Sequence, residues 1–402
     1  MRDTRKASRG RLAGDGVVIA GGGLAAQRCA ETLRRNGYEG RVTVVCAEAH
    51  RPYDRPPLSK EALSTGGADA ALPYRSAEWY EEQSIDLRLG TSACGVNLAE
   101  RRLALAGGDE LHYEWLVIAT GSRPRSLPLL EGYENVSQLR TLDDCRGLRD
   151  VLAGGPKLAI VGAGFIGQEV AATARRLGAR VTLVEAAPTP LIGLLGRQLG
   201  EWFARLHREE GVEVLTGRTV TRVESNGAVR ALELSDGCRL AADHVVVGVG
   251  VAPDIEWLAG SGLESRGGVA VDPHGRTGVD RVLAIGDAAA TFDALAGGHV
   301  PGSHWEAAGR QGARAARVIL GLDPGPMPLT SFWTDQYGIR IQYLGHARLA
   351  DSMEIDGTPE SRSFTATFTR DGRAVAALIV GRPRALPQAR RQIEKGTHEL
   401  PG

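Results

Sequence analysis

An apolar run, a glycine turn, a helix and a second apolar run ending in an acid occur twice in this sequence. That repetition restricts the fold more than any other feature. The first copy runs Val17-Val18-Ile19-Ala20, then Gly21-Gly22-Gly23-Leu24-Ala25-Ala26, with a helix to about Arg35 and a stop at Asn36-Gly37. Val42-Thr43-Val44-Val45 follows and leads to Glu48. The second copy runs Leu158-Ala159-Ile160-Val161, then Gly162-Ala163-Gly164-Phe165-Ile166-Gly167, with a helix to Leu177 closed by Gly178. Val181-Thr182-Leu183-Val184 then ends at Glu185. Short buried strands alternating with helices predict parallel sheets with crossover helices. A duplicated unit predicts two similar domains.

One such glycine pattern opens many helices for structural reasons alone. Here a strand, a helix and a terminal acid accompany it both times, the full context of a dinucleotide-binding turn. Gly21 and Gly23, like Gly162 and Gly164, permit a tight turn and close approach of backbone to a pyrophosphate. Ala26 and Gly167 let each helix pack closely on its sheet. The helix starts, Leu24-Ala25 and Phe165-Ile166, offer free N–H groups and partial positive charge to phosphates. Glu48 and Glu185 are each placed to accept from an adenosine ribose. Glu185 favours NADH over NADPH, because a 2′-phosphate would meet like charge. Ala186-Ala187-Pro188-Thr189 supply no arginine to offset it, although a basic group from elsewhere in the fold could.

A second echo extends the duplication. Leu116-Val117-Ile118-Ala119-Thr120-Gly121 precedes Pro124, and Val245-Val246-Val247-Gly248-Val249-Gly250 precedes Pro253. Each reads as a buried strand that ends in a glycine turn and hands the chain to the other domain. Gly286-Asp287-Ala288 follows the apolar run Val282-Leu283-Ala284-Ile285. Asp287 is either a plain helix N-cap or an acceptor for an FAD ribityl hydroxyl, with its helix aimed at the cofactor. The need for a final FAD-domain strand favours the second. After Pro328, Phe332-Trp333 and alternating runs such as Phe364-Thr365-Ala366-Thr367-Phe368 mark a third domain. The expected fold is α/β, with two Rossmann-like dinucleotide-binding domains and a small C-terminal α+β domain. The boundaries are a disordered arm over 1–12, an FAD-binding domain over 13–125 and 254–327, an NADH-binding domain over 126–253, and a C-terminal domain over 328–402.

Composition removes several function classes. A formal net charge of zero argues against a general nucleic-acid binder. No apolar run approaches the roughly 18 residues of a membrane span, and the basic start lacks the apolar segment of a signal peptide. Five cysteines (Cys29, Cys46, Cys94, Cys145, Cys238), without a CxxC, fit a reducing cytoplasm. The nine histidines show no metal-ligand spacing, so no metal site is expected. Lysine occurs only at Lys6, Lys60, Lys157 and Lys395, which singles out Lys60 beside the glycine-turn chemistry.

Several segments resemble one family closely. They are Tyr53-Asp54-Arg55-Pro56-Pro57-Leu58-Ser59-Lys60, Leu139-Arg140-Thr141, Gly164-Phe165-Ile166-Gly167-Gln168-Glu169, His304-Trp305-Glu306-Ala307-Ala308 and Phe332-Trp333-Thr334-Asp335-Gln336. From about residue 16 to 392 the chain resembles the FAD-dependent NADH:ferredoxin reductases that serve haem-thiolate monooxygenases and aromatic-ring dioxygenases. The resemblance implies that Lys60 lies beside flavin N5, paired with Glu169 where hydride passes from nicotinamide. It implies FAD contacts at Arg55, Ala93, Ala119, Thr120, Gly121, Arg140, Gly286 and Asp287. Trp305 would meet the flavin pyrimidine edge, Trp333 would pack near the isoalloxazine, and Gly248 and Gly250 would border the NADH site. The bland readings are an exposed loop lysine for Lys60, a helix-dipole acid for Glu169 and plain core for Trp333. The chain departs from the family at Ser303, where an acid is common, and at Asp254, where asparagine is usual.

The implied chemistry is hydride transfer from NADH to flavin N5, followed by single electrons to an acidic [2Fe–2S] ferredoxin. Relatives that reduce disulfides need a cysteine beside the flavin, and the stretch from Glu48 to Ser59 has none. Docking candidates for the ferredoxin are Arg310, Arg314 and Arg317 on one predicted helix, with Arg382, Arg384, Arg390 and Arg391. A monomer is the default expectation, with a dimer as the alternative. The competing readings are an NADH oxidase and a redox sensor resembling apoptosis-inducing factors.

Overall fold

The apolar run of the first copy forms the strand Gly16–Ala20, buried along its whole length. This computed structural model describes residues 16–64, 73–293, 297–302, 304–327 and 329–398. The arm expected over 1–12, Ser303 and Pro328 lie outside the described residues. Gly16–Ala20 pairs in parallel with Val42–Val45 on one side and with Glu110–Ile118 on the other. Ile85–Arg88 extends the sheet beyond Val42–Val45. Val282–Ala284 returns from far along the chain to pair in parallel with Glu110–Ile118. Gly16–Ala20 and Val42–Val45, covered on both faces, are buried at every position.

Helix α1 (Leu24–Arg35) leaves the glycine turn and ends at Asn36 and Gly37, the latter at φ 79°. A short α2 (Ala77–Glu82) is capped by the Ser76 hydroxyl. Helix α3 (Leu142–Leu152) opens with a reciprocal capping box between Thr141 and Asp144. The second copy repeats the first. Lys157–Val161 pairs with Arg180–Glu185 and with His244–Val247, and Glu213–Thr216 and Val136–Ser137 form the two outer positions. Helix α4 (Phe165–Arg176) crosses between them. The exits of the two units, Ser122–Pro124 and Val251–Pro253, pair antiparallel with Arg123 opposite Ala252. Both crossings therefore share one two-stranded ribbon.

Helix α5 (Ile192–Glu209) bends at Gly196, where φ is 78°. Its apolar residues Leu195, Leu199, Trp202 and Phe203 share a core with Ile341, Phe364 and Leu378 of a five-stranded antiparallel sheet. That sheet runs Ser331–Gln336, Ile339–Gly345, Arg373–Val380, Ser363–Arg370, Ser352–Thr358. Helix α6 (Trp305–Ile319) precedes it, and α7 (Leu386–His398) packs against its Arg373–Val380 strand.

One expectation is corrected. Gly286-Asp287-Ala288 does not open a helix; it is a single 3-10 turn that passes directly into the strand Ala289–Asp293. Pairing of that strand with Val269–Val271 and Gly298–Pro301 captures the chain as β structure. The helix comes later, as α6.

Candidate functional site

The two glycine turns are built alike. Gly21 and Gly162 sit at φ 131° and 107°, and a Cβ on either would collide with the carbonyl of Ala119 or of Gly248. Only glycine fits there, and Gly248 takes its place as the surface against which the second turn packs. A Cβ on Gly167 would collide with the Gly162 carbonyl, and Ala26 is fully buried. Gly23 and Gly164 cap α1 and α4 without any side-chain hydrogen bond, and open space lies where their side chains would be. The first-turn N–H groups of both helices thus face outward from bare backbone, which is the donor set a pyrophosphate needs.

A cleft of about 830 Å³ lies against the first turn. Its walls include Gly21, Gly23, Glu48, Arg55, Ala93, Ala119, Thr120, Gly121 and Arg140. Glu48 accepts from the Tyr53 hydroxyl and from Arg55, both at 2.6 Å. Arg55 also donates to the Arg140 carbonyl at 2.7 Å. Burial and the neighbouring Arg55 push the Arg140 guanidinium down, against the pull of Asp287. Asp287 accepts from Ser122 at 2.7 Å and lies 3.6 Å from Arg140. Gly286 packs beside Ala25 at the start of α1. These residues fit FAD: a cleft of mixed polar and apolar walls, two guanidiniums lining it beside an uncapped helix start, Glu48 on its wall, and Asp287 next to Arg140.

At the second turn, both oxygens of Glu185 are already engaged by backbone. They accept from Ala163 N–H at 2.7 Å and from Ala187 N–H at 2.8 Å. Leu24 and Ala25 are buried in the first turn of α1, whereas Ile166 of α4 is 47% exposed. Gly250 immediately precedes the crossing ribbon, and its carbonyl accepts from the Arg125 N–H.

Lys60 and Glu169 do not line the cleft; they meet in a separate buried cluster at the junction of three chain segments. Lys60 Nζ donates to Glu169 Oε2 at 2.9 Å and to the Pro56 carbonyl at 3.0 Å. The Glu169 side chain is only 4% exposed. Ser59 donates to the same oxygen, and Thr334 donates to Oε1 at 2.7 Å. Nearby, Trp305 and Trp333 meet edge to face at 5.2 Å. Trp305 Nε1 donates to Asp54 at 2.6 Å, and Arg340 lies over the Trp333 ring. Phe332 contacts Phe165 edge-on and stacks on His304 and Tyr343. Burial lowers His304 to about 4.

Ser59, Thr334, Asp54, Tyr53 and His304 were not among the expected site residues. All stand inside the resembling segments, but a hydroxyl or a carboxylate in a motif does not announce its partner. Among the docking candidates, Arg314 is corrected. It is 6% exposed and donates to the carbonyls of Pro273, Pro324 and Pro326. It ties down the loop after α6 and presents no free charge. Arg310 pairs with Glu306, and Arg382 with Asp356. Arg317, Arg384 and Arg391 are exposed.

The chain belongs to the pyridine nucleotide-disulphide oxidoreductase family, whose model matches residues 15–312. Residues 331–401 match the reductase C-terminal domain. It is 37% identical to the anthranilate 1,2-dioxygenase system ferredoxin–NAD(+) reductase component of Burkholderia cepacia, over 96% of this chain and 95% of that one. It is 33% identical to putidaredoxin reductase of Pseudomonas putida, over 97% and 93% respectively. The reductase in a covalent putidaredoxin reductase–putidaredoxin complex superimposes with a TM-score of 0.91 at 32% identity, covering 96% of this chain and 94% of that one. No described helix is long and apolar enough to cross a membrane.

Proposed function

We propose that this chain is an FAD-dependent NADH:ferredoxin oxidoreductase of the cytoplasm that delivers single electrons to an acidic [2Fe–2S] ferredoxin serving an oxygenase. The observation that carries the reading is the buried Lys60–Glu169 pair, set where the first domain, α4 and the C-terminal sheet converge. Disulfide-reducing chemistry would want a thiol at such a junction. Cys29, Cys46 and Cys145 are buried elsewhere, with thiols pushed by burial up to about 12, 12 and 11. Cys94 and Cys238 lie exposed on other strands and turns.

FAD, when bound, supplies the conversion of a two-electron input into one-electron outputs. The rest belongs to the chain. The α1 N-terminus, Arg55 and Arg140 would hold the FAD phosphates, and Glu48 and Asp287 its hydroxyls. Glu169 fixes the Lys60 ammonium in a place with little water, where a positive charge acts on a neighbouring group at low effective dielectric. Trp305 and Trp333, in edge-to-face contact, would pack beside the isoalloxazine. Glu185 favours NADH.

Cytochrome c reduction by NADH, followed with and without an added [2Fe–2S] ferredoxin, tests this. The expected result is a strong ferredoxin-dependent rate with NADPH much the poorer donor. Little stimulation by several ferredoxins, together with rapid oxygen uptake or a long-lived reduced flavin, would replace it with the oxidase or sensor reading.

A further inference from the structure

His207 is fully buried in α5, and no step described so far uses it. Gln336, which donates to Thr334 at 3.2 Å, also meets its ring and borders the Lys60 cluster. Its Nδ1 lies 2.6 Å from the Tyr337 hydroxyl and its Nε2 lies 3.1 Å from Gln168 Oε1. Gln168 Nε2 in turn donates to the Ala163 carbonyl at 2.9 Å. The polarity of this chain follows from its last link. Because the Gln168 amide donates to Ala163, its oxygen faces His207 and must accept. His207 therefore carries its proton on Nε2 and accepts on Nδ1 from Tyr337. Burial holds the ring far toward neutral, consistent with one donor and one acceptor.

The chain ends in the middle of the second glycine turn. Ala163 is gripped at both of its backbone polar groups, in two successive peptides: its N–H donates to Glu185 and its carbonyl accepts from Gln168. Gln168 is adjacent to Glu169, which Thr334 holds from the C-terminal sheet. Phe165, the first residue of α4, is met by Phe332. Tyr337 sits in the turn between the two strands that begin that sheet, at φ 52°. The C-terminal domain thus reaches the first turn of α4 at three points, one of them through His207.

We infer that Tyr337, His207 and Gln168 are positioning residues for the nicotinamide nucleotide, through which the C-terminal domain holds the second glycine turn in its binding geometry. This rests on the reading of that turn as the NADH site. None of the three residues is assigned contact with the nucleotide. Their effect is on how the turn presents its N–H groups to the pyrophosphate, so it belongs in nucleotide affinity and not in the limiting rate of hydride transfer.

The test uses the FAD-loaded protein and no protein acceptor. Tyr337→Phe, Gln168→Leu and the double variant are compared by calorimetry with NAD+ and by anaerobic flavin reduction across NADH concentrations. Removing one partner from a buried hydrogen bond predicts about tenfold weaker nucleotide binding for Gln168→Leu and about threefold for Tyr337→Phe. The limiting reduction rate and the FAD content should stay near wild type. Because both substitutions cut one chain, the double variant should bind about as weakly as Gln168→Leu alone. Unchanged NAD+ affinity, full additivity, or affinity lost only in step with FAD would overturn the inference. His207→Leu adds a third cut, and the other two variants decide the matter if it fails to fold. A wild-type protein that NADH does not reduce would count against the proposed function, while the NAD+ comparison would still decide this inference.

Discussion

At Lys60 and Glu169, two opposite charges are held almost out of water, and each depends on the other. Removing one partner of such a pair leaves an uncompensated charge, which costs more than the pair itself contributes. Lys60→Met should therefore destabilise the protein by about 3 kcal/mol in urea unfolding. Lys60→Met/Glu169→Leu should recover most of that loss, because no charge remains buried. A double variant as unstable as the single one would contradict this account of the cluster. Lys60 was legible because lysine is scarce in the chain, and Glu169 because it follows the second glycine turn. Ser59 and Thr334 were not legible. Their hydroxyls matter only because folding brings the segments after Pro56, after Gly164 and after Pro328 to one carboxylate.

Among the described elements, α1 and α6 pack along each other at close range. Gly312 is the reason: a Cβ there would collide with the Ala25 carbonyl in the first turn of α1. Gly312→Val must push the helices apart, and overpacking of this kind costs about 1–3 kcal/mol. The expected outcome is a lower thermal midpoint and weaker retention of FAD, since Ala25 belongs to the turn proposed to hold it. Gly309→Ala is the control. Its Cβ would meet the flexible Leu24 side chain at 3.2 Å and should be nearly neutral. Retention of FAD by Gly312→Val equal to that of Gly309→Ala would refute the argument. The periodicity of α1 and α4 and the long apolar strands were legible because burial on both faces leaves a strong pattern. The turn at Gly286 was not, since a glycine and an aspartate before small residues suit a helix start and a 3-10 turn equally. Pairing with Gly298–Pro301 decided between them.

For the whole molecule, two histidines set a pH limit on stability. Burial lowers His207 and His304 to about 4 from an ordinary 6.5. Between those values the unfolded chain binds protons that the native state excludes, so stability falls as pH drops through this window. The full benefit is present above about pH 6.5, and below about pH 4 these two groups add no further change. For His207, fully inaccessible, the shift corresponds to roughly 3 kcal/mol. Thermal midpoints of the FAD-loaded protein should therefore decline between pH 7 and pH 4.5, and His207→Gln should decline less steeply. A flat profile over that range would exclude the assignment.

The sequence by itself determined the two duplicated nucleotide units, their order, the acids that end them and the separate texture of the third domain. Each of these is written in local patterns, namely strand runs, glycine turns and helix periodicity, that need no distant partner. Tertiary structure alone decided that both crossings would share one ribbon and that Arg314 would serve a loop and not a partner. It also decided that the C-terminal sheet would reach α4 through Thr334, Phe332 and Tyr337. Those outcomes depend on contacts between residues far apart in the chain, and a hydroxyl, a guanidinium or an imidazole acquires its partner only when the packed backbone brings one within hydrogen-bonding distance.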